Sequence, residues 1–173
     1  MITRQLSFSI PIFIIIFMAQ ESVVNQFRLP GGGFSLLLIF TLMWAILSSQ
    51  ESAAIGGFIA GLLMDLSPSS SGPIGQWTLL MIAACYAISY LGSGNESLSG
   101  NPLGLTFFIT SAVFFIEIAY LLTGALLGVQ SGSFGQILIT LFGISIWSLV
   151  VTPILLPLFS RLHAFAFNTR SAI

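Results

Sequence analysis

Apolar residues come in long runs along this chain, without the strict alternation of strands or the single stripe of a surface helix. Six runs separated by polar or Gly/Pro-rich breaks predict six helices, over about 6–24, 34–49, 52–66, 74–91, 103–127 and 134–159. The third is barely long enough to span, which implies local membrane thinning or burial among neighbours. The breaks are Asn25 to Arg28 with Pro30-Gly-Gly-Gly33, the short turn Gln50-Glu51, a serine-rich loop at 67–73, a hydrophilic connection with Asn95, Glu96 and Pro102, and a Gly/Ser turn at 129–133. Pro153 and Pro157 fall in the last turns of the sixth run, where each removes a backbone donor and favours a kink. Beyond it, Phe159, Leu162, Phe165 and Phe167 alternate with Arg161, His163 and Arg170, the pattern of a tail at 160–173 lying on the membrane interface.

Composition fixes the solvent. The chain has 173 residues, of which 56% are hydrophobic and 5% charged, against about 25% charged in soluble domains. So few charges cannot cover a water-facing surface, and the prediction is an all-α integral membrane protein forming one transmembrane domain over 1–173. Arg4 followed by an apolar run and Ala19 has the outline of a signal peptide. Phe17 stands where cleavage needs a small residue, so the run is read as a retained first helix. An even helix count puts both termini on one side, and Arg4, Arg161 and Arg170 outvote Arg28 for the cytoplasm.

Function classes fall away on composition and motif. A net charge of −1 without a basic stripe leaves no footprint for nucleic acid. Cys85, the single cysteine, lies in an apolar run, and His163 stands alone, so neither a metal site nor a nucleophilic pair is supported. No hydrolase, zinc or phosphate-loop motif occurs, and no cofactor or catalytic residue is assigned.

The most informative segment is 53–65. Ala53, Gly57 and Gly61 recur every fourth residue, and the row ends on Asp65. On a helix this is a slowly winding ridge without side chains, onto which another backbone can close. It serves either packing within the monomer or an interface with a partner or a second copy. Asp65 either reaches water and caps the following loop, or fixes that loop for a partner or joins two helices. Pro73, Gly75 and Trp77 open the next helix, with Trp77 expected at headgroup level. Glu21, beside Gln20 and Asn25, marks the end of the first helix.

Glu117 stands well inside the fifth run, with Thr110, Tyr120 and Thr123 as polar neighbours and no arginine or histidine at comparable depth. A carboxyl so placed is structural glue, a partner contact or a proton-relay residue. A relay normally needs several ionisable groups along a path, and this chain offers one deep acid.

The order of these features resembles the rod shape-determining protein MreD family of bacterial inner-membrane proteins. The likeness rests on the apolar helix Phe34 to Trp44, then Gly57-Phe-Ile-Ala-Gly-Leu-Leu-Met-Asp65-Leu66, a Ser/Gly/Pro loop and Pro73-Ile-Gly75. Glu117 also has a counterpart there. The loop at 67–72 is more serine-rich than the family's, and the turn at Gln50-Glu51 lacks the basic residues common at that point. The resemblance implies a non-enzymatic member of the cell-elongation machinery that works beside MreC, the MreB filament and the RodA/penicillin-binding-protein synthase of lateral peptidoglycan. It also implies a fold similar to the substrate-binding subunits of energy-coupling-factor importers. A small-molecule-binding subunit of such an importer is therefore the alternative reading, with Glu117 and Asp65 lining a cavity.

Overall fold

The computed structural model describes residues 2–27, 29–68, 70, 72–92, 101–129 and 132–167, with side chains from Ser9 to Leu162. Arg28, Asn95, Glu96 and Arg170 lie outside the described residues, as do the side chains of Arg4 and His163. Among the described residues there are six α-helices and no strand: α1 (Ile2–Ser22), α2 (Leu36–Leu47), α3 (Gln50–Asp65), α4 (Gln76–Gly92), α5 (Pro102–Leu126) and α6 (Phe134–Phe167). Short 3₁₀ turns at Val24–Phe27 and Pro30–Gly32 join α1 to α2. Four stretches, Ser9–Phe27, Pro30–Leu47, Pro102–Leu126 and Phe134–Leu162, are long and apolar enough to cross a membrane.

The helix ends follow local chemistry. Ser35 accepts from Leu38 N–H at the start of α2. Asn101 Oδ1 accepts from the N–H groups of Leu103 and Gly104 at the start of α5, where Pro102 occupies the first helical position. At the other end of α5, Val129 N–H returns to Gly124 O and Gly128 N–H to Ala125 O, a Schellman closure with Gly128 at φ 79°. α6 continues as helix through Pro153 and Pro157 to Phe167, past the expected end of the span.

α2 is the axis of the bundle. Every residue from Leu37 to Ala45 is buried, and α2 touches each of the other five helices. A helix that is apolar all round suits only such a central position. Aromatic rings lock it in place: Phe40 meets Phe13 of α1 at 5.1 Å and Phe159 of α6 at 5.0 Å, both edge-to-face. Trp44 joins the cluster against Phe13 at 5.6 Å.

α3 and α4 form a tight antiparallel pair of 16 and 17 residues. The Gly57–Gly61 row faces α4, and the backbones close on each other there. A methyl built on Gly57 would run into Met81 O and stand 3.1 Å from Cys85 Cβ, while one on Gly61 would run into Thr78 Cα and stand 2.8 Å from Trp77 O. A second small row, Gly56 and Ala60, is also buried; Gly56 turns to α1 and α2, where a Cβ would lie 3.3 Å from Trp44 and 3.4 Å from Phe13. Both rows are needed because α3 is hemmed in on two sides, and only the first stood out in the sequence.

The Pro30–Gly33 turn is pinned in a similar way. Gly31, Gly32 and Gly33 all have positive φ, near 74°, 89° and 71°, which side-chain-bearing residues rarely adopt. Gly31 lies directly on Gly143 of α6, with no room for a Cβ on either, and Trp147 Nε1 donates to Pro30 O at 3.1 Å.

Gly61→Ala should lower stability by about 1–3 kcal/mol, because the obstructing atoms are backbone and α3 must move off α4. Gly135→Ala, at an exposed α6 position with open space around its Cβ, should be neutral. Thermal unfolding followed by thiol labelling of the buried Cys85 measures both; equal midpoints would show that the helix pair tolerates separation.

Candidate functional site

Asp65 does not cap its own loop. Its carboxylate, 8% exposed, crosses to the start of α4 and accepts from Trp77 N–H at 3.0 Å, Thr78 N–H at 2.9 Å and the Thr78 hydroxyl at 2.5 Å. The first N–H groups of a helix have no partner within it. Here Gln76 N–H goes to Pro73 O, Leu79 N–H to Gly75 O, and Asp65 supplies the two between. The negative charge also faces the positive end of the α4 dipole. Gly75, just before α4, takes φ 99° and is exposed with open space around it, so its requirement is backbone conformation alone. Pro73 is likewise exposed.

Fixing the start of α4 places two side chains against α5. Trp77 is 8% exposed and stacks on Tyr120, with ring centroids 4.2 Å apart; it faces the protein interior instead of anchoring at headgroup level. Gln76 is 6% exposed, and its Nε2 donates to Tyr120 O at 2.7 Å and Thr123 Oγ1 at 2.8 Å. Neither residue of this clasp, Gln76 or Tyr120, was singled out as a site residue from sequence; a lone Gln opening an apolar helix was the available signal.

Glu117 lies one turn below Tyr120 and lines two cavities at the loop end of the bundle. The first, about 260 Å³, sits among α1, α2, α3 and α5, with Trp77 of α4 and Ile144 of α6 completing its wall. Its rim holds a hydrogen-bonded chain: Ser67 Oγ donates to Glu21 Oε1 at 2.6 Å, Asn25 Nδ2 to Glu21 Oε2 at 3.0 Å, and Gln20 Nε2 to Asn25 Oδ1 at 2.9 Å. Gln20 Oε1 in turn accepts Leu36 N–H at 2.5 Å. Glu21 thus ties the end of α1 to the loop after α3, a contact 46 residues apart in sequence. The second cavity, about 380 Å³, lies between α4, α5 and α6 and is lined by Gln76, Tyr120 and Gly124 on one side and Gln136 and Thr140 on the other. Thr110 and Thr123 are in neither wall.

The expected site residues therefore divide. Ala53, Gly57, Gly61 and Asp65 lie along the α3–α4 seam, Pro73 and Gly75 shape the loop that enters α4, and Glu117 stands apart on the cavities. Among the described residues no three His, Cys, Asp or Glu side chains cluster as metal ligands would.

The glycine-lined helix ending in Asp65-Leu66 and the loop into Pro73-Ile-Gly75 are among the features on which the sequence resemblance rests. The family model of the rod shape-determining protein MreD matches residues 2–165. The chain belongs to the MreD family. Membership supports a role in rod shape determination, and the apolar helices make this MreD protein a membrane protein. Neither a curated protein nor a solved structure matches the chain.

Replacing Asp65 by Ala would leave two N–H groups and a hydroxyl buried without an acceptor. A loss of about 2–4 kcal/mol is expected, with Asp65→Asn intermediate because one amide oxygen remains. Thiol labelling of Cys85 during thermal unfolding reads this out; an unchanged midpoint for Asp65→Ala would mean that the cap contributes nothing.

Proposed function

We propose that this MreD protein is a non-enzymatic membrane scaffold of the rod-shape complex. It binds MreC and supports lateral peptidoglycan synthesis alongside the MreB filament and the RodA/penicillin-binding-protein synthase, in the bacterial inner membrane with both termini cytoplasmic. The observation that carries this reading is the match to the family model over residues 2–165.

The α3–α4 pair is the docking element in this proposal. The small-residue row is covered by α4 and cannot itself receive a partner, so its part is to hold the pair together. α4 turns the opposite face outward: Leu79, Ala83, Tyr86, Ala87 and Tyr90 are all exposed and lie on one side of the helix. Ala83 and Ala87 on this face let another helix approach closely in lipid.

Co-purification with tagged MreC tests the proposal. Wild type should bring MreC down, and Ala83→Trp should reduce recovery several-fold while leaving the thermal midpoint unchanged. Full MreC recovery with a Gly61→Leu protein that inserts normally would remove the α3–α4 pair from the interface. Failure of the wild type to recover MreC would overturn the scaffold reading itself.

A further inference from the structure

The end of the bundle that holds Glu21, Ser67 and Gln76 is stepped. Gln76 opens α4 and its Nε2 donates to Tyr120 O at 2.7 Å, while Trp77 stacks on the Tyr120 ring. α5 runs on from Tyr120 to Leu126, about 9 Å further out at roughly 1.5 Å per residue. α6 overhangs in the same way: Gly31 of the α1–α2 connection lies on Gly143, whereas the helix begins at Phe134, about 13 Å further out. Asp65 on the first turn of α4 and Ser67 on Glu21 hold the ends of α3 and α1 at the lower level. Gly72, within the loop that joins α3 to α4, also lies against the Tyr120 hydroxyl.

The two levels differ in chemistry. The lower one carries Glu21 with Asn25 and Ser67, and Asp65 with Thr78. The overhang is apolar: Leu122, Leu126, Leu127, Phe134 and Ile139 are exposed, Leu126 at 86% and Phe134 at 76%. No Asp, Glu, Lys, Arg or His occurs between Ile118 and Ser160.

No flat bilayer surface suits both levels. A surface at the lower level leaves the apolar overhang in water, against the hydrophobic effect. A surface at the tip of the overhang sinks Glu21 into hydrocarbon, where an acid is costly. Helix length repeats the conflict. The 16 and 17 residues of α3 and α4 reach about 25 Å, and the 25 residues of α5 about 37 Å, against a hydrocarbon core of about 30 Å. The short pair is not sheltered by its neighbours, since Phe58 and Leu62 of α3 and Leu79 and Tyr86 of α4 are exposed.

We propose that the bilayer is thinned by about 5 Å where it meets the α3–α4 pair. Its surface follows the lower level on that side and the tip of the α5–α6 hairpin on the other. In the protein alone, the occupant of the outer face of the pair is phospholipid whose acyl chains span a shorter distance than those beside α5 and α6. Shorter chains fit that face better, and longer ones must bend or splay there.

Spin-label depth measurements in phosphatidylcholine bilayers of eighteen-carbon chains test this. Leu79→Cys, one turn into α4, and Leu122→Cys, one turn from the end of α5, both carry the label at exposed positions, and Cys85 is fully buried and stays unlabelled in the folded protein. The two labels should report nearly equal depths below the lipid phosphates, although the fold sets them about 7 Å apart in height. Ile139→Cys on α6, also exposed, serves if Leu122→Cys does not insert. Native mass spectrometry of unmodified protein from an equal mixture of fourteen- and eighteen-carbon phosphatidylcholine needs no variant; the shorter lipid should be enriched roughly twofold or more among those retained. The proposal is overturned by a Leu79 label lying about 7 Å deeper than the Leu122 label, or by equal retention of the two lipids. MreC is absent from these samples, so their outcome is separate from that of the scaffold reading.

Discussion

The Asp65 carboxylate on the first turn of α4 is the interaction on which the rest of this end of the molecule depends. In a membrane protein the open N–H groups of a helix start cannot be left to solvent, because a buried unsatisfied donor is among the most expensive defects a fold can carry. By taking Trp77 N–H and Thr78 N–H, Asp65 fixes both the height and the rotation of α4. That rotation presents Trp77 to the Tyr120 ring and Gln76 to the Tyr120 carbonyl. Tyr120 and Glu117 on α5, and with them the walls of two cavities, follow from a carboxylate on α3.

The glycine row and the acid act as one device. Gly57 and Gly61 bring α4 so close that the short Asp65 side chain spans the gap, and the acid then holds α4 at that distance. Neither half works alone: larger residues would push the donors out of reach, and a residue without a side-chain acceptor would leave them unpaired. The same economy recurs where Gly31 meets Gly143, with Trp147 donating across the contact. Bulk is removed from the backbone contact and one polar bond fixes the register beside it. Lipid offers little hydrophobic drive between helices, so close packing and such bonds carry the association.

The apolar runs and the breaks between them were readable because the bilayer imposes a simple rule on composition and length, whereas the central burial of 37–45 came only with the packed helices. The 53–65 ridge was readable because four-residue spacing on a helix makes a face. The second row at Gly56 and Ala60 was not, since a single glycine beside a pair does not announce which neighbour it meets. The placement of Trp77 also escaped the sequence. An aromatic at a helix start fits an interfacial anchor by rule, yet here a ring on α5 lies over it. The chain from Glu21 to Ser67 was equally hidden, because it joins the end of α1 to a loop 46 residues further on.

By itself, the sequence determined the solvent, the number of helices, the close-packing ridge and the family motif. These are set by local composition and by periodicity along one helix. The tertiary structure decided what each polar group serves. Asp65 became a cap for another helix, Glu21 a tie from α1 to the loop after α3 and Glu117 a wall of two cavities, because those roles depend on which groups arrive from distant segments.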